Sequence, residues 1–174
     1  MLNLFKKSPD PEAVYAVYRA IVAQSRQPVF YAEWGVPDTV TGRFDMLSLH
    51  MSLVFRRLNG GGKPASDFAQ ALFDLFFKDM DRNLREMGAG DLSVPKKIRN
   101  MGNIFYGLMT NLNEAMERGD RAEVEAVLRR NLFAEGEAAE VGQLADYLEA
   151  QYQRLKLQTV DAVIGGRLEM GEAA

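Results

Sequence analysis

An all-α fold, a single-domain bundle of about six or seven helices, follows from three features of this 174-residue sequence. Apolar residues recur three and four apart through almost every segment. Helix starts and stops (Asp-Pro, Gly-Asp and Gly-rich breaks) punctuate those segments at short intervals. No stretch reads as a strand, and no repeat or long linker divides the chain. The length suits one domain that buries a real core. The expected organisation is a flexible N-terminus over 1–10, one helical domain over 11–164 and a flexible tail over 165–174.

The first residues, MLNLFKK, place Leu2, Leu4 and Phe5 ahead of Lys6 and Lys7. That pattern suits contact with an anionic membrane surface, though fraying is the ordinary behaviour of such a terminus. Asp10 can cap the first helix with Pro11 at its first position. Val14, Val17, Tyr18, Ile21 and Val22 form its buried stripe. Pro28 opens a short helix over 29–34, where Phe30, Tyr31 and Trp34 read as a core plug. The next helix starts at Thr41 or Gly42 and stops at Asn59-Gly60-Gly61-Gly62. It is apolar on two sides, Phe44, Leu47, Met51, Val54, Phe55 and Leu58 on one and Met46, Leu49 and Leu53 on another, which makes it central. His50 lies between those sides and reads as a hydrogen-bonded packing residue.

The segment 68–106 reads as a helical hairpin. Ser66 or Asp67 caps its first helix, which follows Pro64 and turns Phe73, Phe76, Phe77, Met80, Leu84 and Met87 one way. Asp74, Lys78, Asp81 and Arg85 form a ladder of alternating charge opposite, and Asp79, Arg82 and Glu86 form a second ladder. Gly88 fits the left-handed stop. Pro95 must lie in the first turn of the partner helix. That helix buries Ile98, Met101, Phe105, Leu108, Met109, Leu112 and Met116. Its other face, Asn100, Asn103, Gly107, Thr110 and Asn111, carries no charge, which predicts contact with another helix or a partner. Gly102 and Gly107 weaken the helix relative to alanine, as a close backbone approach would require. Asp120, with Glu123 three residues on, caps a shorter helix that buries Val124, Val127, Leu128, Leu132 and Phe133. Gly136 breaks it. A last helix is expected over 137–164, burying Val141, Leu144, Leu148, Tyr152, Leu155 and Ala162.

Composition excludes several chemistries. There is no cysteine, and His50 is the one histidine, so thiolate catalysis, disulfides and histidine-rich metal sites are ruled out. No nucleophile has a base beside it. Asn59-Gly60-Gly61-Gly62-Lys63-Pro64 lacks the Gly-Lys-Ser/Thr ending of a phosphate loop. Asp79, Asp81 and Asp91 do not follow calcium-loop spacing. The net charge of -3 predicts no general attraction to nucleic acid. No apolar run nears the roughly 20 residues that cross a bilayer. With no leader visible, the chain is expected to remain in the compartment where it is made. The residues alone describe a helical binding protein without enzymatic activity, metal, cofactor or small-molecule substrate.

The motifs carry a resemblance as well. Phe30-Tyr31, Gly35-Val36-Pro37-Asp38-Thr39 and Gly42-Arg43-Phe44-Asp45 leading into Leu49-His50 resemble the opening of the ubiquinol–cytochrome c chaperone family. The likeness continues through Ala71-Leu72-Phe73-Asp74 and the run from Asp79-Met80-Asp81-Arg82-Asn83-Leu84 to Arg85-Glu86-Met87-Gly88. Gly90-Asp91, Val94-Pro95-Lys96-Lys97 and Phe105-Tyr106-Gly107 follow, so it spans roughly 13–133. The resemblance implies a non-enzymatic assembly chaperone that binds newly made cytochrome b and promotes assembly of the cytochrome bc complex, respiratory complex III. Without a targeting segment the chain resembles a bacterial member, expected in the cytoplasm and peripheral on the cytoplasmic face of the inner membrane.

A holder of transmembrane helices needs apolar contact area and a charged rim. The polar part of the client site is expected at Arg43, Arg82, Arg85, Glu86, Asp91, Lys96 and Arg99. Met80, Met87, Met101 and Met109 are adaptable contacts where exposed, though their helical spacing reads first as core. The alternative is a helical carrier of haem or a small lipophilic ligand, motivated by the aromatic, Met-rich interior with His50. A third reading is a helical adaptor whose last helix docks a partner.

Overall fold

The protein is described as a computed structural model over residues 8–133 and 141–174. The expectations for 1–7, for a break at Gly136 and for a helix start at 137 lie outside those residues. In chain order the helices are α1 (Pro11–Ser25), α2 (Pro28–Ala32), α3 (Val40–Leu58), α4 (Gly62–Glu86), α5 (Val94–Glu117), α6 (Arg121–Leu132), α7 (Val141–Leu157) and α8 (Val160–Ile164). Six are long, α2 and α8 have five residues each, and no strand occurs among the described residues.

The starts follow local chemistry. Asp10 Oδ1 accepts from the Glu12 amide at 3.0 Å and Pro11 opens α1. Thr39 Oγ1 accepts from the Gly42 amide at 3.0 Å at the head of α3. Gly42 is fixed by space: a Cβ there would lie 1.9 Å from the Pro37 carbonyl oxygen. Asp120 caps α6 through the Glu123 amide at 3.0 Å. Gly88 ends α4 with φ +88°, in the left-handed region that glycine enters without a Cβ clash. Pro95 sits in the first turn of α5.

The long α3 is the hub. From Phe44 to Val54 every residue is buried, and the helix packs against α1, α4, α5, α6 and α7. Its two apolar sides face two clusters. One joins Phe44, Leu47, Met51 and Val54 to Ile21, Phe68, Phe76 and Phe105. The other joins Met46, Leu49 and Leu53 to Phe30, Trp34, Leu128, Leu144 and Tyr147. Leu168 packs on both, so the core is continuous. Phe30, Trp34 and Tyr147 pack edge to face with centroids 5.1–5.8 Å apart, so the α2 segment is a core plug.

The structure departs from the sequence reading in three places. First, α4 begins at Gly62, ahead of the expected Ser66 or Asp67 cap, with Pro64 inside its first turn. First-turn amides have no helical acceptor, so a proline there removes no bond. Second, the expected single helix to 164 divides into α7 and α8. Arg57 of α3 donates from Nε to the Leu155 and Gln158 carbonyls at 3.0 and 2.9 Å, and from Nη2 to Gln158 at 2.6 Å. Those carbonyls are thus satisfied from outside α7, and Thr159 Oγ1 restarts the helix by accepting from the Ala162 amide at 3.1 Å. Third, 167–173 lies along the bundle, in contrast to the expected flexible tail. Leu168, Met170 and Ala173 pack on the core. Gln151 and Gln158 each pair in both directions with a backbone unit, at Gly171 (3.0 and 2.8 Å) and Glu169 (2.7 and 2.8 Å). Gln24 donates to the Gly171 carbonyl and Gln27 accepts from the Ala173 amide at 2.8 Å.

Candidate partner-binding groove

The C-terminal half of α4 leans against the end of α1 and the starts of α3 and α5, leaving a groove of about 320 Å³. Its walls are Val40, Phe44 and Leu47 from α3, Met80, Leu84 and Met87 from α4 and its end, and Met101 from α5. Arg26, Arg43, Asn83 and Glu86 supply its polar rim. The apolar stripe of α4 produces this geometry by running off the core. Phe76 and Met80 are buried, Leu84 is half-buried, and Met87 at the helix end is 55 % exposed. The core reading therefore holds for Met80, while Met87 and the half-buried Met101 present thioethers to the groove.

Of the seven expected polar residues, Arg43 and Glu86 stand on this rim. The Arg43 guanidinium donates to Asp38 Oδ1 at 2.7 Å, which holds the Asp38 carboxyl below its ordinary range. Arg82 is on the adjacent side of α4, paired with Asp79 and, at 3.9 Å, with Glu86. Asp79 also accepts from the Tyr18 hydroxyl at 2.8 Å, which ties α4 to α1. Burial, then the Asp79 carboxylate, pushes the Tyr18 phenol well up. Arg85 bridges Asp81 at 2.7 Å and Asp91 across the turn. Lys96 and Arg99 are exposed on α5 beyond that turn. The second charge ladder is thus formed, but the first only at Asp81–Arg85, because Asp74 accepts from Gln70 at 2.8 Å.

Arg26 was not singled out from the sequence. It is the C-cap of α1, where a cation beside the helix's last carbonyls is unremarkable. Folding carries it to the junction of three recesses, the groove, one toward Tyr31 and Asp38, and one toward Tyr15 and Lys78. No local pattern announces that position.

Two buried titratable groups are set by their surroundings. His50 is fully buried, with Nδ1 at 2.7 Å from the Met46 carbonyl and Nε2 at 2.7 Å from the Tyr147 hydroxyl. A carbonyl only accepts, so Nδ1 carries the proton and Nε2 accepts from Tyr147. Desolvation lowers the imidazole pKa to about 4, and with both nitrogens engaged His50 has no free lone pair for a metal or haem iron. Asp45, on the same helix, is also buried, and desolvation raises its pKa to about 7.

The uncharged face of α5 is open. Asn100, Asn103, Gly107, Thr110 and Asn111 are all exposed, with Ile104 and Tyr106 beside them. Among the described residues a Cβ at Gly107 would meet nothing within 4 Å, and one at Gly102 would lie 3.9 Å from Phe77, so no described backbone from another element approaches either glycine closely. A second recess, about 470 Å³, lies between α3, α4 and α5 and is lined by Phe55, Arg56, Phe73, Phe105, Tyr106 and Met109, among others.

Comparison with known proteins gives three matches. A family model described as ubiquinol–cytochrome C chaperone matches residues 32–170. That span reaches beyond Phe133, where the motif resemblance ends. A curated relative from Xenopus laevis, "Ubiquinol-cytochrome-c reductase complex assembly factor 1", is 23 % identical over 145 residues, covering 82 % of this chain and 72 % of that protein. A solved structure, the "Cbp3 homolog from Brucella abortus", superposes with a TM-score of 0.84 at 35 % identity, covering 92 % of this chain and 90 % of that one.

Proposed function

Because this chain belongs to the ubiquinol–cytochrome c chaperone family, we propose that it is a non-enzymatic assembly chaperone for the cytochrome bc complex, respiratory complex III, with newly made cytochrome b as its client. The observation that carries the client assignment is the methionine-walled groove with a mixed-charge rim. A transmembrane segment awaiting assembly offers apolar side chains of varied shape. Flexible thioethers adapt to them, and Arg26, Arg43 and Glu86 give orientation through contacts that stay solvated and reversible.

The location that accompanies this role is peripheral, on the cytoplasmic face of a bacterial inner membrane. No helix of the described residues is long and apolar enough to cross a membrane. The carrier reading loses its haem anchor, since both His50 nitrogens are engaged inside the core.

Co-purification tests the proposal. A tagged chain recovered from detergent-solubilised membranes should bring down cytochrome b, and deletion of its gene should lower mature complex III. Normal cytochrome b and normal complex III activity in the deletion strain would overturn the function. Intact capture by Met87→Asp, a change at an exposed position, would overturn the groove.

A further inference from the structure

Leu92 is 99 % exposed at the turn between α4 and α5, and Met87 stands at the start of the same turn. A single exposed leucine needs no explanation. This one is distinguished by its neighbours. Lys96, Lys97 and Arg99 follow in the first turns of α5, all exposed. None of them takes part in an ion pair among the described residues, nor does Arg26 across the groove.

Helix stability does not account for the cluster, because cations at the positive end of a helix oppose its dipole, and the first turn of α5 holds no acidic residue. The acidic groups nearby, Asp81, Glu86 and Asp91, are engaged by Arg82 and Arg85. With Asp79 also paired to Arg82, residues 79–99 set four carboxylates against five cations, a balance of +1 on a chain whose net charge is -3, and the unpaired cations all lie on the α5 side of the turn. A protruding apolar tip framed by unpaired lysine and arginine matches an anionic lipid surface, where headgroups take the cations and the tip enters the interfacial layer. A single-stranded RNA partner would call for stacking rings, and 87–99 contains no aromatic residue.

We propose that the α4–α5 turn is a membrane-docking surface, with Leu92 and Met87 entering the interface of an anionic bilayer and Lys96, Lys97 and Arg99 binding lipid phosphates. Met87 is shared with the groove, so docking turns the groove's mouth toward the bilayer from which a client segment would come. The proposal deepens and rests on the chaperone reading, but its test uses no client, so either can fail alone.

The experiment is flotation of the full chain with vesicles of phosphatidylcholine alone or mixed with phosphatidylglycerol. Binding is expected to the mixed vesicles, weakening with added salt. Leu92→Glu, and separately Lys96→Glu with Lys97→Glu and Arg99→Glu, should each weaken it about tenfold or more. Leu157→Glu should not, although Leu157 is 87 % exposed on α7. All three positions of the triple variant and Leu92 are exposed, so circular dichroism should match the parent. Equal binding to neutral vesicles, equal loss in Leu157→Glu, or preference for a single-stranded RNA oligonucleotide over vesicles would overturn the proposal.

Discussion

The Tyr147 hydroxyl donates to His50 Nε2 at 2.7 Å while accepting from Gln24 Nε2 at 2.7 Å, so one oxygen joins α7, α3 and α1. Around it Phe30 and Trp34 close the aromatic packing. Tyr147→Phe keeps the ring and leaves His50 Nε2 without a donor in a dry core. Urea unfolding should show a loss of about 2 kcal/mol with an unchanged slope. A change below about 0.5 kcal/mol, the scale of a surface substitution, would show that the bond contributes nothing net.

His50 and Asp45 pull the pH dependence of stability in opposite directions. The His50 pKa is lowered to about 4 in the fold, so its contribution is present above about 6.5 and is lost as pH falls through 4. The Asp45 pKa is raised to about 7, so its contribution is present below about 3.8 and is lost as pH rises through 7. Between about 4 and 6.5 the native state holds the Asp45 proton and the unfolded state the His50 proton, and the two slopes cancel. Asp45→Asn should unmask a stability that rises with pH in that window, and His50→Gln one that falls. At pH 8 Asp45→Asn should gain on the order of 2 kcal/mol by removing a buried charge. Denaturant midpoints from pH 4 to 8 test all three, and parallel profiles would refute the pairing.

Deletion of 167–174 separates a packed segment from a loose one. The deletion removes the Leu168 and Met170 contacts and strands the amides of Gln151 and Gln158. The expected loss is about 2–3 kcal/mol, read as a lower urea midpoint. A truncated chain as stable as the parent would contradict the hydrogen-bonded arrangement.

Arg82→Glu with Arg85→Glu addresses the ladder. Both arginines are exposed and their ion pairs are solvated, so the urea midpoint should move little and the helical circular dichroism should persist. Client pull-down should weaken. If it survives here but fails in Met87→Asp, the client meets the apolar walls without the ladder.

Features with local causes were legible in the sequence. The caps at Asp10 and Asp120, the stop at Gly88 and the placing of Pro95 depend on residues within four positions, and the hub character of α3 follows from its two apolar sides. The split of α7 from α8 was not legible, because its cause, Arg57, lies about a hundred positions upstream of the carbonyls it satisfies. The packing of 167–173 escaped for the same reason, since Gln24 and Gln27 act on it from the other end of the chain. The sequence offered Arg43 and Glu86 for the site as charges in a motif, but their meeting across the groove, with Arg26 beside them, exists only once three helices have packed.

The glutamine-bound segment 167–173 also sets a timetable for synthesis. Gln24 and Gln27 emerge early, yet their backbone partners at Gly171 and Ala173 are made only after all eight helices of the described residues. The α1–α7 seam therefore waits, incompletely closed, until the final described residues clear the ribosome. A nascent chain stalled before Gly171 should expose that seam to proteases, and the released chain should not.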